Sequence, residues 1–382
     1  MPRMEPYRAS IFAEMSALAL QVSAINLGQG FPDTDGPQVL KDEAIAAIED
    51  GRGNQYPPTI GIPALREAIA AHQERFYGLH IDPGSQVGVA TGASEALAAA
   101  LIALVDTGDE VLMFEPFFDI YDPIIAMARG VRVAVPLVGD DLRPDIDALA
   151  DAITPRSKVL LLNSPHNPTG MVLTRAELEA IAEIAIRHDL LVISDEAYEH
   201  LWFDEHAHIP ISTLPGMFER TITIGSGGKT FSFTGWKVGW STGPSDLVAA
   251  VRTVRQHLSF ASSGPFQWAI ASGLGFDDTY FREFRMDLAA KRDLLCSGLA
   301  ELGFRVIQPQ GTYFATTDVR PMGFVDGDEF CRTLPYRAGV VAIPHQALCS
   351  RPEVGAPYVR WAFCKRVEVL SEALDRLQIA FG

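Results

Sequence analysis

The sequence predicts an α/β fold in which a large domain, with a mainly parallel sheet flanked by helices, is followed by a smaller α+β domain. From about residue 85, short β-branched runs alternate with longer helical stretches, which is the pattern of β-α-β units. The strand-like runs are apolar throughout, as is typical of strands that are buried on both faces of a sheet. From about Phe276 the pattern changes to a charged helix and several short strand-like runs.

The large domain is predicted to contain strands and helices in regular alternation. The helix over 94–104 is rich in alanine, and the helix over 174–188 is amphipathic. Thr174 is expected to cap the second helix, with Glu177 completing a capping box. The predicted strands cover residues 86–91, 110–114, 131–137, 158–163, 190–194 and 221–224.

The C-terminal part is predicted to form the smaller domain. A helix over 280–302 leads into strands at 305–307, 313–316, 340–343 and 359–363, and a helix closes the chain. The first 40 residues fit neither pattern and are expected to pack at the junction with the small domain. The predicted division is an N-terminal segment at 1–40, a large domain at 41–275 and a small domain at 276–382, which suits the length of the chain.

Composition and charge argue against several classes of protein. Hydrophobic residues make up 48% of the 382 residues, which excludes a disordered chain. The net charge of −17 opposes a general affinity for nucleic acid or for anionic membranes. The N-terminus lacks the apolar core of a signal peptide, and the longest clean apolar run, 96–105, is too short to span a membrane. We therefore expect a soluble, cytoplasmic protein.

The cysteines indicate neither a disulfide framework nor a metal clip. They stand at Cys296, Cys331, Cys349 and Cys364, and no two of them have the spacing of a CxxC motif. They are expected to be small, buried apolar residues.

In an open parallel sheet, ligands bind at the carboxyl ends of the strands, so the residues after each strand are candidates for a site. The first exit, TGASEA at 91–96, is either an anion seat at a helix start or a plain tight turn. The second, EPFFD at 115–119, carries two aromatic residues that suit a core as well as a pocket. The third, NSPHNPTG at 163–170, is stiffened by two prolines, which fixes Asn167 as a hydrogen-bonding group. His166 has no second ligand at metal spacing, so no metal site is expected there.

The last two exits carry charged residues. Asp195 directly follows a buried strand, which is costly unless the carboxylate meets a cation or hydrogen-bond donors. Lys229 lies in GSGGKT at 225–230, which suggests a nucleotide-binding P-loop, but that motif needs a glycine where this chain has Thr223. The segment after Lys229 is also too rich in glycine and aromatic residues for the required helix.

Together the exits bring a lysine, an aspartate, a tyrosine, an asparagine, an aromatic ring and an anion seat to one edge of the sheet. Pyridoxal 5′-phosphate needs such a set. A lysine amine forms a Schiff base with its aldehyde, a carboxylate keeps its ring nitrogen protonated, and donors hold its phosphate.

Three segments in this order carry a specific resemblance: NSPHNPTG at 163–170, SDEAYEHL at 194–201 and SGGKTFSFTGWKVGW at 226–240. With them, the sequence resembles the class I/II aminotransferases of fold type I over essentially its whole length. FAEMSALA at 12–19, NLGQGFPD at 26–33 and NQYPP at 54–58 are similar to the actinobacterial N-succinyldiaminopimelate aminotransferases. That group lies within the neighbourhood of the kynurenine aminotransferase and glutamine transaminase K enzymes.

The resemblance implies pyridoxal 5′-phosphate as the cofactor and three catalytic residues. Lys229 would be the Schiff-base lysine and the proton shuttle, and Asp195 the partner of the ring nitrogen. Tyr198 would bond the ring's 3-oxygen together with Asn167.

The resemblance also implies the rest of the cofactor site. Ser226 and Lys237 would hold the phosphate with the backbone amides of Ala93 and Ser94, and Phe118 would stack on the ring. Tyr56 falls where the family reaches the phosphate of the neighbouring subunit, so a homodimer is implied.

For the substrate, the resemblance points to Arg360, which would hold the α-carboxylate by a two-point fork. From composition alone Arg360 would be read as a surface arginine. Gly30 would contribute a backbone contact, Asn167 would also face the substrate, and Phe12 and Phe260 would line the side-chain pocket. Phe12 stands where the kynurenine enzymes carry tryptophan.

The resulting hypothesis is an aminotransferase that moves an amino group from an amino acid to a 2-oxo acid in two half-reactions. The expected pair is N-succinyl-LL-2,6-diaminopimelate and 2-oxoglutarate, a reaction of lysine biosynthesis. The alternatives are a broad transaminase of glutamine, methionine or kynurenine, and a cysteine-S-conjugate β-lyase on the same scaffold. A regulatory effector-binding domain is disfavoured because no segment is left over for DNA binding.

Overall fold

The computed structural model describes residues 2–8 and 10–382; residues 1 and 9, which the predicted N-terminal segment includes, lie outside the described part. The α-helices are α1 (Ile11–Gln21), α2 (Gln38–Glu49), α3 (Pro63–Tyr77), α4 (Gly92–Leu104), α5 (Tyr121–Met127), α6 (Ile146–Asp151), α7 (Arg175–Arg187), α8 (Gly227–Thr230), α9 (Ser245–Ser259), α10 (Gly264–Leu274), α11 (Asp278–Glu301), α12 (Gly327–Ala338), α13 (Pro352–Gly355) and α14 (Val367–Phe381). Short 3-10 helices lie at Pro2–Tyr7, Ile211–Thr213, Phe218–Arg220, Thr234–Trp236, Arg320–Met322 and His345–Leu348.

The strands belong to three sheets. They are β1 (Ile25–Asn26), β2 (Val87–Ala90), β3 (Glu110–Glu115), β4 (Val131–Val138), β5 (Arg143–Pro144), β6 (Ser157–Asn163), β7 (Leu191–Asp195), β8 (Thr221–Ser226), β9 (Gly239–Thr242), β10 (Arg305–Ile307), β11 (Phe314–Asp318), β12 (Val340–Val341), β13 (Ile343–Pro344) and β14 (Tyr358–Ala362).

The large sheet has the strand order β2-β9-β8-β7-β6-β3-β4-β5. The run β8-β7-β6-β3-β4 is parallel, and both faces are covered. Leu112 of β3 packs in a core with α7, whereas its neighbours Val111 and Met113 pack in a second core with α4 and α9. This confirms the predicted α/β fold with a mainly parallel, doubly covered sheet.

Two strands of this sheet were not predicted, the two-residue edge strand β5 and strand β9. Strand β9 lies between β2 and β8 and is antiparallel to both. Two of its residues are glycine and tryptophan, which follow a loop rich in glycine and aromatic residues, so the sequence shows no strand pattern there. Because β9 reverses direction, β2 is parallel to β8, and the carboxyl ends of β2, β3, β6, β7 and β8 all meet at one edge.

The other predicted elements of the large sheet lie within one or two residues of the observed bounds. Thr174 caps α7, and its side chain and that of Glu177 form the predicted capping box. Helix α4 begins at Gly92, two residues earlier than predicted.

The C-terminal part contains the antiparallel sheet β10-β11-β14-β13 with α11 and α14. The predicted strand over 340–343 is two short strands, β12 and β13, in different sheets. β12 pairs in parallel with β1, with Ile25 opposite Val340. The N-terminal segment is thus joined to the C-terminal part, whereas the exact domain boundaries stay a prediction.

Two further expectations concern the whole chain. All four cysteines are free, and Cys296, Cys331 and Cys364 are buried as expected, while Cys349 is half-buried. In the part of the chain that the structure describes, no helix has both the length and the apolar character needed to cross a membrane.

Candidate active site

A cavity of about 290 Å³ opens at the edge where the carboxyl ends of the parallel strands meet. The structure brings most of the predicted site residues together around it, although they come from distant parts of the sequence. Those lining it are Phe12, Gly30, Ala93, Ser94, Phe118, Asn167, Asp195, Tyr198, Ser226, Lys229, Lys237 and Arg360.

Lys229 lies in the short helix α8, directly after β8, with its amine in the cavity. Its Nζ lies 2.8 Å from the Tyr313 hydroxyl oxygen and 3.3 Å from the Gly30 carbonyl oxygen. Burial lowers the pKa of Lys229 to about 8, although nearby Asp195 opposes this shift. A minor fraction of the amine, larger than for an ordinary lysine, is therefore neutral and nucleophilic near neutral pH.

Asp195 ends β7 and is buried at the bottom of the cavity. Its Oδ2 accepts a hydrogen bond of 2.6 Å from the Tyr121 hydroxyl, and its Oδ1 accepts one of 3.2 Å from the Ala197 amide. Burial raises the pKa of Asp195 to about 6, and the Tyr121 hydrogen bond opposes that shift. A cationic partner in the cavity would hold this carboxylate in its charged form.

The start of α4 and Lys237 together form a seat for an anion. A Cβ added at Gly92, whose φ is +78°, would lie 3.1 Å from Cε and 3.2 Å from Nζ of Lys237. The Lys237 ammonium is therefore held against the positive end of α4, where Ala93 and Ser94 present backbone N–H groups without intrahelical partners. Ser226 lines the same cavity. This donor set suits a phosphate group.

Arg360 reaches the cavity from β14 of the small sheet and is only 2% exposed, so the surface reading from composition is wrong. Its Nη1 donates to Asn167 Oδ1 at 2.8 Å and its Nη2 to the Gly28 carbonyl at 2.7 Å. Its Nε is buried and has no hydrogen-bond partner among the described residues. Burial lowers the pKa of Arg360 to about 10, so the guanidinium stays charged at neutral pH and can bind a carboxylate.

Aromatic rings form the walls around these polar groups. The Arg360 guanidinium lies 4.7 Å from the Phe12 ring and 4.0 Å from the Phe314 ring. Tyr198 packs edge-on against Tyr313 with ring centres 5.2 Å apart, and burial raises its pKa well above the usual value for a phenol. These walls keep water from the charged groups and strengthen their electrostatic interactions.

Two predicted residues do not line the cavity of their own chain. Tyr56 is 83% exposed and Phe260 49% exposed, and their rings meet edge-on with centres 5.3 Å apart. Phe260 has a φ of +66°, an unusual value for a bulky residue, and its carbonyl accepts a hydrogen bond of 2.8 Å from Arg255. In the single chain Phe260 therefore lies outside this cavity, and its role in the substrate pocket stays a prediction.

Sequence reasoning missed Tyr121 and Tyr313, whose hydroxyls contact Asp195 and Lys229. The only sequence signal for Tyr121 is its position three residues after Phe118. Tyr313 directly precedes β11, on a part of the chain with no motif. Both depend on contacts more than 70 residues apart along the chain.

His72, Glu199 and His200 form a second group of buried titratable residues. None of the three lines the cavity. The Nε2 atoms of the two histidines lie 2.7 Å apart, and Tyr77 donates to Glu199 Oε2 at 2.8 Å. Nitrogens that ligate one zinc ion stand roughly 3.3 Å apart, given bonds near 2.1 Å. The group is therefore a hydrogen-bonded imidazole pair.

Comparisons with known proteins agree with this geometry. The family described as aminotransferase class I and II matches residues 22–377. A probable N-succinyldiaminopimelate aminotransferase of Mycobacterium tuberculosis is 50% identical over 99% of this chain and 97% of its own length. The solved structure of N-succinyldiaminopimelate aminotransferase from that organism has a TM-score of 0.97, with 99% of both chains covered.

Two further relatives carry other names. A methionine aminotransferase of Escherichia coli is 39% identical, over 97% of this chain and 95% of its own length. A kynurenine–oxoglutarate transaminase of Mus musculus is 38% identical, over 97% of this chain and 88% of its own length.

Proposed function

Because the chain belongs to the class I and II aminotransferase family and is a pyridoxal 5′-phosphate-dependent aminotransferase, we propose that its substrates are N-succinyl-LL-2,6-diaminopimelate and 2-oxoglutarate. The observation that supports this pair is the 50% identity to the mycobacterial relative, against 39% and 38% for the methionine and kynurenine enzymes. The reaction would serve lysine biosynthesis.

The lysine and aspartate of the cavity would carry the proton chemistry. Bound pyridoxal 5′-phosphate supplies an electron sink that stabilises negative charge on the substrate's α-carbon. Asp195 would keep the ring nitrogen protonated, because a cation beside this buried carboxylate stabilises its charged form further than the hydrogen bonds from Tyr121 and Ala197 do. Lys229 would hold the cofactor and, as a free amine, take the proton from the substrate's α-carbon and return it to the carbon of the cofactor's aldehyde group.

The remaining residues would bind and orient. Lys237, Ser226 and the backbone amides of Ala93 and Ser94 at the start of α4 would together hold the phosphate. Phe118 would stack on the ring. Asn167 and Tyr198 would bond the 3-oxygen. Arg360 would bind the α-carboxylate next to the Gly30 backbone and the Phe12 ring. Amino acids and 2-oxo acids both carry this carboxylate.

The alternative is a broad transaminase that accepts glutamine, methionine or kynurenine, favoured by the methionine and kynurenine relatives. Measuring kcat/KM for N-succinyl-LL-2,6-diaminopimelate beside these three donors separates the two. We expect the succinylated donor to be the fastest; if it is slower than all three, the proposed pair is wrong. Pyruvate and ammonia released from a cysteine conjugate without an oxo acid would indicate a β-lyase instead.

Phe12 offers a test of where selectivity arises. It faces the cavity beside Arg360, so Phe12→Trp should change the order of the donors, since it enlarges the wall that meets the variable side chain. An equal change in kcat/KM for all amino donors would mean that Phe12 only supports Arg360.

We further propose that the active form is a homodimer in which Tyr56 reaches the neighbouring cavity. The support is the exposed Tyr56–Phe260 pair, two aromatic rings that a soluble monomer would leave in water. Native mass spectrometry would test the dimer. Tyr56→Phe should then weaken cofactor retention, and a fully active monomer would refute the proposal.

A cytoplasmic location and the three-part domain division complete the proposal. Free cysteines fit a reducing compartment, and cell fractionation would test the location. Limited proteolysis near residues 40 and 275 would test the division.

A further inference from the structure

Tyr313 makes a specific contact with the amine of Lys229. The Lys229 Nζ lies 2.8 Å from the Tyr313 hydroxyl oxygen, and that hydroxyl donates to the Gly30 carbonyl at 2.6 Å. Since the single phenol proton is used on Gly30, the phenol oxygen must accept a hydrogen from the amine.

The arrangement fixes the direction of the amine. Gly30 O is also within 3.3 Å of the Lys229 Nζ, and it lies close to the phenol oxygen. Both oxygens therefore lie in nearly the same direction from the nitrogen. Together they accept only one of its N–H groups. In a neutral amine, one N–H and the lone pair are left for other partners.

The backbone beside Tyr313 is built to hold this ring. Thr312 has a φ of +64°, a strained value for a β-branched residue, and is fully buried. Its amide donates to Leu201 O at 2.8 Å, and its side chain accepts from the Phe314 amide at 3.1 Å. Strain that the surroundings maintain in this way is typical of functional positions.

From these contacts we propose that Tyr313 is a positioning residue. Its hydroxyl oxygen holds the free amine of Lys229 during the part of the reaction in which the amine is released, and so aims the lone pair that takes the substrate's α-proton. This inference rests on the proposed role of Lys229.

The contact should also influence the protonation of Lys229, because an acceptor favours the ammonium form over the neutral amine. Burial acts in the opposite direction and dominates. The ionisable groups that surround the amine are Asp195, Tyr198, Lys237, Tyr313, Arg360 and Cys364.

The test compares Tyr313→Phe with the wild type and with Tyr280→Phe. Tyr280 is a matched control, since its hydroxyl also donates to a backbone carbonyl, that of Thr230 at 3.0 Å, without touching the Lys229 amine. Each full-length apoprotein is mixed with pyridoxal 5′-phosphate from about pH 6 to about pH 10, and the rate of cofactor capture is followed by absorbance. In Tyr313→Phe the midpoint of this profile should fall by about one pH unit, because a hydrogen bond to the ammonium is lost.

A second readout uses the loaded enzyme. With an α-deuterated donor, the kinetic isotope effect on kcat should rise in Tyr313→Phe, and kcat should fall about tenfold with KM nearly unchanged. If the variant unfolds, 3-fluorotyrosine at position 313 keeps the hydroxyl but makes it a weaker acceptor, and the midpoint should fall by less.

The outcomes separate this inference from the proposed function. An unchanged midpoint and isotope effect in Tyr313→Phe would show that Tyr313 only packs. A wild type that captures no cofactor would refute the role of Lys229 instead. Equal shifts in Tyr280→Phe would mean that any loss of a tyrosine hydroxyl near α8 perturbs the lysine, which also overturns the inference.

Discussion

Replacing Arg360 by lysine should lower kcat/KM for every substrate by the same factor. The substitution keeps a buried cation in the cavity but removes the fork that Arg360 forms from β14. Lysine cannot hold Asn167 Oδ1 and Gly28 O at 2.8 Å and 2.7 Å while also binding a carboxylate at two points.

The size of the effect follows from these contacts. A hydrogen bond between charged groups contributes about 1.5–3 kcal/mol, and lysine retains one such bond where arginine makes two. Misplacement of the α-carboxylate adds to this loss, so we expect about 3 kcal/mol in total, roughly a hundredfold in kcat/KM.

The two half-reactions should be measured one at a time, in single turnovers followed by the absorbance of the bound cofactor. Arg292→Lys is the matched control, because Arg292 is also buried and holds Asp204 with two hydrogen bonds, of 2.6 Å and 3.1 Å, but does not line the cavity. If Arg360→Lys slows the reactions of amino donors and of 2-oxo acids by factors that differ by more than about tenfold, Arg360 does not bind the carboxylate that both kinds of substrate carry. An Arg360→Lys enzyme as active as Arg292→Lys would lead to the same conclusion.

Three other predictions concern the cofactor residues and stability. Lys229→Ala should keep the cofactor bound without a covalent link but abolish turnover, as borohydride trapping, mass spectrometry and the donor assay would show; retained turnover would refute the assignment. Asp195→Asn should lower the rate roughly a hundredfold, about 3 kcal/mol, because the charge beside the ring nitrogen is lost; a near-wild-type rate would place that role elsewhere. Burial lowers the pKa of His72 to about 3, whereas in the unfolded chain it is about 6.5. Between these two pH values only the unfolded chain takes up a proton at His72, so the free energy of unfolding should fall by about 2 kcal/mol at pH 5. Urea unfolding of the wild type and of His72→Gln at about pH 5 and about pH 8 tests this, and an equal loss of stability in both proteins would contradict it.

The sequence was informative where local pattern decides structure. The strand exits at Asn167, Asp195 and Lys229 were predicted to share one edge because parallel strands end together, and all three line the cavity. The capping box of α7 was predicted because it needs only Thr174 and a glutamate three residues on.

The remainder depends on contacts that no local pattern reports. Strand β9 pairs with β2 on one side and with β8 on the other, and this pairing within the sheet overrides a weak local preference. Tyr121 and Tyr313 acquire roles only through partners far along the chain. Phe260 was expected in the pocket because of the family resemblance; in the single chain it is 49% exposed, and its place in a pocket stays a prediction.

The charges around the cavity limit how a long acidic donor could be recognised. Among the described residues, the cationic side chains that line it are Lys229, Lys237 and Arg360, and each is assigned to the cofactor or to the α-carboxylate. The Gln29 amide is also engaged, since it donates to Phe12 O at 3.0 Å and to Ser16 Oγ at 2.7 Å. With a net charge of −17 the molecule gives an anion no long-range attraction. With the proposed substrate and the proposed homodimer, hydrogen-bond donors from a second copy of the chain would bind the distal carboxylates of the succinylated donor, and selectivity and dimer formation would depend on the same surface.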